Sequence, residues 1–238
     1  MCSLGVAMLA QNEESHMPAT IAQFYNIADE IVVVDGGSSD QTTVWAERMG
    51  AKVLHRPFRN DFSDQKNFAI SQLKTDWVYL HDPDERLEPT LLEILPHLIT
   101  DEGQKVLGAL DVIAPAQDVY DCFGFARKNF IDGVQTNIYP DYQYRLFRPY
   151  CRYSGKVHEM ITNFKLRTEV DYTRPKAVTP KNKAEGASST IDTERGQVET
   201  GVNLYDPTQI SRFNILHFKS SKLQEKQDLL YKKIQEGV

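Results

Sequence analysis

The sequence has few of the features that mark several common classes of protein. Its 238 residues include only three cysteines, Cys2, Cys122 and Cys151, which are odd in number and widely separated. This spacing gives neither a zinc-binding motif nor a disulfide framework, and it fits a reducing compartment. Basic residues are also in deficit, because 27 Lys and Arg stand against 33 Asp and Glu, for a formal net charge of −6. Nucleic acid is therefore not an expected partner, since its binding depends on neutralising phosphates.

Long hydrophobic runs are missing as well. The N-terminal apolar segment, Leu4–Ala10, is far shorter than the ~20 residues that span a bilayer, and no basic signal-peptide segment precedes it. We therefore expect a cytoplasmic protein. The segment 220–236 is lysine-rich with apolar residues at helical spacing, namely Leu223, Leu230 and Ile234. This pattern predicts a helix that docks on the rest of the chain or one that makes a peripheral contact with an anionic membrane surface.

Apolar segments and turn residues alternate regularly over the first 80 residues. Strands are predicted over 4–10, 31–34, 52–55 and 77–80, and helices over 17–25, 43–49 and 63–73. Strands separated by helices predict an α/β fold with a parallel, Rossmann-like sheet. The second half is less regular, with strands predicted over 105–114 and 142–147. The stretch 174–197, rich in Pro, Lys, Ala, Ser, Thr and Glu, predicts a mobile loop.

Three carboxylates, Asp82, Asp84 and Glu85, follow the fourth predicted strand. Ligands bind outside the carboxyl ends of the strands in an open α/β sheet, and two aspartates one residue apart suit a hard divalent cation. The same residues would also suit a charged turn before a helix that begins near Pro89. The polar segments 11–14 and 35–40 follow the first two strands and would lie at the same edge, either as ligand contacts or as tight turns with helix caps.

Taken in order, these segments resemble family 2 glycosyltransferases of the GT-A fold. The resemblance rests on the segments 12–14 (Asn-Glu-Glu), 32–40 (Val-Val-Val-Asp-Gly-Gly-Ser-Ser-Asp), 61–67 and 77–87. The segments 144–149, 155–159 and 216–218 are similar to the branch that includes lipopolysaccharide core glucosyltransferases. The family implies a nucleotide-sugar-binding and catalytic core over 1–160. It also implies an acceptor-side region with a mixed sheet over 161–238, within the same domain.

The resemblance also implies an activity and a set of site residues. Such enzymes move a sugar from a nucleoside diphosphate donor, expected here to be UDP-linked, to a hydroxyl of a glycan or glycolipid, with inversion at the anomeric carbon. They use Mn²⁺ or Mg²⁺, for which Asp84 and His217 are the expected ligands here. The expected donor-binding residues are Asn12, Glu14, Asp35, Lys66, Asp82 and Arg145. Pro83 stands where small residues are usual, and it removes a backbone donor without removing a carboxylate.

The expected catalytic base is Glu159, with His158 as the alternative, because a carboxylate near the anomeric carbon can take the proton of the acceptor hydroxyl. Both residues would also suit a structural ion pair or a hydrogen-bonded turn. Arg145 and Arg148 are predicted to point to one face of a strand and to bind the diphosphate or an anionic acceptor, unless that face is merely solvated. Lys66 and His217 have equally ordinary alternatives, as an exposed lysine and a structural histidine.

Two other functions fit parts of the pattern. A sugar nucleotidyltransferase shares a similar core, but it would need a glycine-rich, basic loop after the first strand, where this chain has the acidic segment Gln-Asn-Glu-Glu at 11–14. A non-catalytic scaffold that binds a nucleotide sugar remains open, although the carboxylates Asp82, Asp84 and Glu159 argue against lost turnover.

Overall fold

The computed structural model describes residues 2–110, 120–162, 202–203 and 213–237. Its strands are β1 (Leu4–Ala10), β2 (Glu30–Asp35), β3 (Lys52–His55), β4 (Trp77–His81), β5 (Glu85–Leu87), β6 (Cys122–Ile131), β7 (Val134–Gln135), β8 (Asp141–Phe147), β9 (Arg152–Ser154), β10 (Met160–Thr162), β11 (Val202–Asn203) and β12 (Asn214–Lys219). Its helices are α1 (Met17–Ala22), α2 (Thr42–Arg48), α3 (Phe62–Ser71), α4 (Pro89–Leu98), α5 (Asp101–Ala109) and α6 (Ser221–Glu236).

The first four strands form the parallel, nucleotide-binding type of sheet that the sequence predicts. β1 lies at the centre, with β2 on one side and β4 on the other, and β3 extends the sheet beyond β2. β4 is buried at every position, and β1 and β2 are buried along most of their length, which explains their near-continuous apolar sequences. The carboxyl ends of these strands therefore open onto one edge of the sheet.

The second half of the sheet is mixed and curls back on itself. β8 pairs antiparallel with β4 and β6, and β12 then joins β6 in parallel and β5 antiparallel. β4 and β5 are separated along the chain by only residues 82–84, yet three other strands lie between them in the pairing order. A sheet can satisfy both conditions only if it curls, so the turn at 82–84 bridges its middle and its edge.

Two apolar clusters hold the sheet between layers of helix. One contains the fully buried Trp77, Tyr79 and Phe123 and packs against α1 and α4. The other lies on the opposite face and joins Leu80 and Phe147 to α3. The α/β fold expected from the sequence, with a Rossmann-like first half and a mixed second half, is thus confirmed.

Several sequence predictions need correction or lie outside the described residues. The strand predicted over 105–114 is wrong, because Asp101–Ala109 is helix α5, while 111–114 are not described. Thr100 caps this helix by accepting a bond from the Gly103 N–H, and the buried Gln104 and Leu107 lie on one helical face. The loop predicted over 174–197 lies outside the described residues.

The predicted terminal helix is confirmed as α6, and its packing differs from the expected apolar stripe. Ile234 is buried as predicted, but Leu223 is 39% exposed. Tyr231 packs against the ring of Phe62, with the two centroids 5.5 Å apart. In the part of the chain that the structure describes, no helix combines the length and apolarity needed to cross a membrane.

Truncation of two leucines should separate the core from the surface. Leu91 of α4 is completely buried, whereas Leu229 of α6 is 61% exposed. Leu91→Ala should lower the free energy of unfolding by about 2–5 kcal/mol, because it removes apolar contacts and leaves a cavity. Leu229→Ala, the matched control, should change it by less than about 0.5 kcal/mol. Urea denaturation followed by circular dichroism measures both, and equal losses would contradict this placement of the core.

Candidate active site

A cleft of about 1510 Å³ opens at the carboxyl ends of the parallel strands. Its floor includes Ala10 at the end of β1, Gly36 after β2 and the turn at 82–84. The opposite wall comes from β6, β8 and β12, and α6 closes one end. Polar side chains from both halves of the sheet therefore face the same space.

The turn that carries the two aspartates is fixed through its backbone. The Glu85 N–H donates to the Asp82 carbonyl at 3.0 Å, and the Phe218 N–H donates to the Asp84 carbonyl at 3.1 Å. The Pro83 carbonyl accepts bonds from Thr20 Oγ1 at 2.6 Å and from Arg86 Nη1 at 2.9 Å. These bonds hold the turn without an N–H from residue 83, so proline is compatible with it.

Asp84 meets His217 at the mouth of the cleft. Asp84 Oδ2 lies 3.2 Å from His217 Nε2, although the residues are 133 positions apart in sequence. His217 Nδ1 lies 2.7 Å from Asn129 Oδ1. Burial raises the pKa of Asp84, but its bond to His217 outweighs that effect, and the net pKa lies below its usual value. A carboxylate oxygen and an imidazole nitrogen are both ligands for Mn²⁺, so this pair fits a divalent cation.

Asp82 is joined to a buried pair of ions. Arg145 Nη2 donates to Asp82 Oδ2 at 2.6 Å and to Glu85 Oε1 at 2.7 Å. Glu85 is fully buried, and burial raises its pKa. Burial also raises the pKa of Asp82, but the Arg145 guanidinium outweighs it and brings that pKa well below its usual range. Arg145 lines the cleft, yet its side chain is only 4% exposed and its Nη2 is already bonded to these two carboxylates.

A second arginine continues this network beneath the cleft. Arg127 Nη1 lies 3.3 Å from Glu85 Oε1, and its Nε and Nη2 donate to Asp141 Oδ2 at 2.9 and 2.7 Å. Asn129 Nδ2 donates to the same Asp141 oxygen at 2.9 Å, and the amide oxygen of Asn129 contacts His217. The strand registers place Arg127 opposite Asp141, and His217 beside both Asn129 and Glu85. We call this series of eight linked side chains the ion network: Asp82, Arg145, Glu85, Arg127, Asp141, Asn129, His217 and Asp84.

The charge of the ion network suits a divalent cation. Its four carboxylates face two guanidinium groups, which leaves two uncompensated negative charges when His217 is neutral. Among the described residues, no group of three or more His, Cys, Asp or Glu side chains forms a metal site. Asp84 and His217 would therefore hold a metal as a pair, with further positions open to oxygens of a bound ligand.

The two base candidates lie on the other side of the cleft. Glu159 Oε2 accepts a bond from Lys66 Nζ at 2.9 Å, and both side chains line the cleft while being only 10% and 14% exposed. Lys66 also lies over the ring of Tyr153, 4.9 Å from its centroid. His158 has a positive φ of 53° and packs edge-on against Tyr231, with centroids 5.4 Å apart. The predicted donor-binding lysine and the predicted base thus form an ion pair.

Comparison with known families identifies the chain. The model of the family described as Glycosyl transferase family 2 matches residues 6–174, well over half of the sequence. The chain belongs to glycosyl transferase family 2. The family resemblance recognised in the sequence is thus confirmed.

Individual relatives share only a part of their length with this chain. An uncharacterized glycosyltransferase of Rickettsia bellii is 35% identical over 97 residues, which cover 41% of this chain and 33% of the relative. The lipopolysaccharide core biosynthesis glycosyltransferase LpsC of Rhizobium meliloti is 33% identical over 101 residues, covering 40% and 37%. The chain therefore spans about a third of the length of these curated relatives.

Among solved structures, one similar chain is glucosyl-3-phosphoglycerate synthase from Mycobacterium tuberculosis, in complex with Mn²⁺, UDP and glucosyl-3-phosphoglycerate. It is 22% identical, with a TM-score of 0.36, over 55% of this chain and 44% of that one. A likeness of this size identifies neither the donor nor the metal of the present transferase.

Three predicted donor-binding residues, Asn12, Glu14 and Asp35, lie after β1 or at the end of β2, near the cleft. Asn12 Oδ1 accepts a bond from the Ser39 N–H at 2.8 Å, and Glu14 Oε2 accepts from the Gln41 N–H at 2.9 Å at the start of α2. The carboxylate of Asp35 is 2% exposed and accepts bonds from the N–H groups of Gly37 and Ser38. None of the three lines the cleft described above. Their contact with a donor stays a prediction.

Arg148 does not accompany Arg145, so the prediction that both point to one face is wrong. β8 ends at Phe147, and Arg148 turns to the other side of the sheet, where its guanidinium lies 4.2 Å from the centroid of the Trp77 ring. Arg148 is also near Asp121, with Nε 3.7 Å from Oδ1. Three residues along a strand reverse the facing of a side chain, which the prediction overlooked.

Sequence reasoning missed half of the ion network. Arg127 and Asn129 lie two positions apart on β6 and share one face, and Asp141 begins β8 opposite Arg127. Polar residues at every second position of a strand indicate one polar face, so this signal was present in the sequence. Glu85 was noted only as part of the acidic cluster, and its complete burial follows from pairing across strands that no local pattern reveals.

Removal of Arg145 should test the ion network directly. Arg145→Met leaves Glu85 buried without its closest counter-charge and should lower the free energy of unfolding by about 3–5 kcal/mol. The loss should shrink as the pH falls toward 5. A carboxyl whose folded pKa is raised costs stability only above its unfolded pKa, and a protonated Glu85 needs no counter-charge.

The double variant Arg145→Met with Glu85→Gln is the matched control. It removes both charges and should recover much of the stability lost in Arg145→Met. Denaturant titrations at pH 8 and pH 5 measure the three proteins. A loss below about 1 kcal/mol in Arg145→Met, or one that grows at low pH, would contradict the role given to Arg145.

Proposed function

We propose that this glycosyltransferase moves a sugar from a nucleoside diphosphate donor to an acceptor hydroxyl, with a divalent metal held by Asp84 and His217. The observation that carries the proposal is the pairing of Asp84 Oδ2 with His217 Nε2 at 3.2 Å, at the carboxyl edge of a parallel sheet. Family membership supports the nucleotide-sugar donor, for which we retain UDP as the expected base. Mn²⁺ and Mg²⁺ are both compatible with these ligands.

The chain's own residues have distinct tasks in this proposal. When bound, the metal offsets the negative charge that develops on the departing diphosphate. Asp84 and His217 hold it, and Asp82 borders the donor while Arg145 fixes the orientation of the Asp82 carboxylate. Lys66 reaches the same cleft from α3 and is available for the diphosphate.

Inversion requires a base on the acceptor side of the anomeric carbon, and we assign this role to Glu159. Its carboxylate lines the cleft and is held by Lys66 Nζ at 2.9 Å. A diphosphate competes for that ammonium, because it carries more negative charge than one carboxylate. Donor binding would thus release Glu159 to accept the proton of the acceptor hydroxyl as the bond to the sugar forms.

The proposed acceptor is a hydroxyl of a glycan or glycolipid. The similarity to LpsC, which is named for lipopolysaccharide core biosynthesis, supports this class. The cleft extends beyond Glu159 to α6, where Tyr231 and Leu230 line it, which leaves room for a second substrate beside the donor.

The rival activity of a nucleotidyltransferase meets an obstacle in the loop after β1. That enzyme would need free backbone N–H groups there for a triphosphate. The N–H groups of Asn12, Glu13 and Glu14 already donate to Ser38, Thr42 and Asp40 side chains, at 2.9, 2.7 and 3.2 Å. A non-catalytic nucleotide-sugar scaffold is the second alternative, and it predicts donor binding without turnover.

Nucleotide binding should depend on Asp84. UDP and UDP-sugars, within a panel of nucleoside diphosphates, should raise the melting temperature of the wild-type protein in the presence of Mn²⁺, because they bind the native state. In Asp84→Asn the metal-dependent part of this shift should disappear. Asp64→Asn is the matched control, since Asp64 is half-exposed outside the cleft and pairs with Arg56. No shift for any nucleotide with either metal would overturn the proposed donor class.

Turnover should depend on Glu159. Glu159→Gln keeps the shape of the side chain but removes the base, and it should lower kcat by about 10²–10⁴-fold. Donor affinity should not fall, because Lys66 is no longer paired with a carboxylate. His158→Gln should lower kcat by less than tenfold. Both are measured as UDP release with a glycan acceptor, after the melting temperatures show that the variants are folded. The reverse ranking would move the base to His158, and donor binding without any turnover in the wild type would favour the scaffold.

A further inference from the structure

The amide of Asn129 is held in one orientation beside His217. Its Nδ2 donates to Asp141 Oδ2 at 2.9 Å, and a carboxylate can only accept a bond, so the nitrogen of the amide must face Asp141. The amide oxygen Oδ1 therefore faces His217 Nδ1, at 2.7 Å. Because an amide oxygen can only accept, His217 Nδ1 must carry a hydrogen at this contact.

Asp141 is itself anchored, so the orientation of Asn129 does not rest on a single bond. Arg127 donates twice to Asp141 Oδ2, from Nε at 2.9 Å and from Nη2 at 2.7 Å. Gln143 Nε2 donates to the other oxygen, Oδ1, at 2.8 Å. With Asn129, these groups provide four donors for the two oxygens of one carboxylate. Arg127 and Asn129 on β6 and Gln143 on β8 thus fix the Asp141 side chain.

His217 lies between two groups that compete for its single hydrogen. Asn129 Oδ1 faces Nδ1 at 2.7 Å, and Asp84 Oδ2 faces Nε2 at 3.2 Å. A neutral imidazole with its hydrogen on Nε2 would donate it to Asp84, and that nitrogen would have no lone pair for a cation. With the hydrogen on Nδ1, the lone pair of Nε2 points toward Asp84 and the cleft. The bond to the other ring nitrogen decides which tautomer forms.

We propose that Asn129 is a positioning residue that fixes His217 as the Nδ1–H tautomer and so presents the Nε2 lone pair to a divalent cation beside Asp84. The part that concerns the cation rests on the proposed function, whereas the tautomer is a property of the metal-free protein. Asn129 itself touches neither the cation nor the substrate in this assignment, and Asp141 acts through Asn129.

The tautomer can be measured without metal, nucleotide or turnover. Nitrogen-15 NMR of the histidine side chains, at a pH of about 8.5 where imidazole is neutral, distinguishes a protonated Nδ1 from a protonated Nε2. His217→Gln identifies the His217 signal among the six histidines. The wild-type protein should show Nδ1–H. In Asn129→Leu, which has a similar shape but no acceptor, the hydrogen should move to Nε2 and bond to Asp84.

The affinity for Mn²⁺ is the second readout. Loss of the orienting partner should weaken Mn²⁺ binding by about 10–100-fold, measured by the EPR signal of free Mn²⁺, both with the metal alone and with UDP present. Gln143→Leu is the matched control, because it removes a bond to Asp141 but leaves the contact between Asn129 and His217. It should keep both the wild-type tautomer and the wild-type affinity.

A second variant keeps the proposal testable if Asn129→Leu folds poorly. Asn129→Ala removes the same acceptor with a smaller side chain, while Asp141 keeps its bonds from Arg127 and Gln143. This variant should also show the Nε2–H tautomer and the weakened Mn²⁺ binding. Nδ1–H retained in Asn129→Leu, or wild-type Mn²⁺ affinity in that variant, would overturn the proposal.

The two proposals can fail separately. A wild-type protein that shows Nδ1–H but binds neither Mn²⁺ nor nucleotide would contradict the proposed function and support the orientation of His217 by Asn129. A protein that binds UDP and Mn²⁺, but has His217 as the Nε2–H tautomer before metal is added, would support the proposed function and contradict the orientation of His217 by Asn129.

Discussion

The burial of Glu85 is the constraint on which the rest of the site depends. A carboxylate removed from water loses several kcal/mol of hydration, which only close counter-charges can offset. Arg145 and Arg127 supply those charges, and Glu85 accepts from both through Oε1. Each guanidinium has further donors, which it directs to Asp82 or Asp141. The two arginines that compensate Glu85 therefore also bind Asp82 on the floor of the cleft and Asp141 on its opposite wall.

Topology then converts this network into a site. Asp82 follows β4 at the centre of the sheet, and Asp84 precedes β5 at its edge. Only three residues separate β4 from β5 along the chain, whereas three strands separate them in the sheet. Pairing of β5 with β12 places His217 next to Glu85 and within 3.2 Å of Asp84. The curl of the sheet and the contact between Asp84 and His217 are thus two consequences of one strand register, so neither can change without the other.

How well the sequence predicts a feature of this structure depends on how far apart in sequence the interacting residues lie. β1, β2 and β4 are recognisable because each contains a short apolar run ended by polar or glycine residues, and the 82–84 turn follows directly from the last of them. The helix α5 was misread as a strand because its apolar residues Val106 and Leu107 are adjacent, while its cap at Thr100 lies outside the apolar run. The bonds of Arg145 to Asp82 and Glu85 span 63 and 60 residues, so only the tertiary structure reveals that these two carboxylates already pair with its charge.

The same charge balance links the two sides of the cleft under the proposed mechanism. On one side the ion network has an excess of negative charge that a cation would compensate, and on the other Glu159 is compensated by Lys66. A metal-bound diphosphate brings a cation to the first side and an anion within reach of Lys66 on the second. Donor binding would therefore satisfy Asp84 and free Glu159 in one event, which makes the base available only when a sugar is present to be transferred. An acceptor that bound first would meet a Glu159 whose carboxylate is still paired, so charge alone favours binding of the donor before the acceptor.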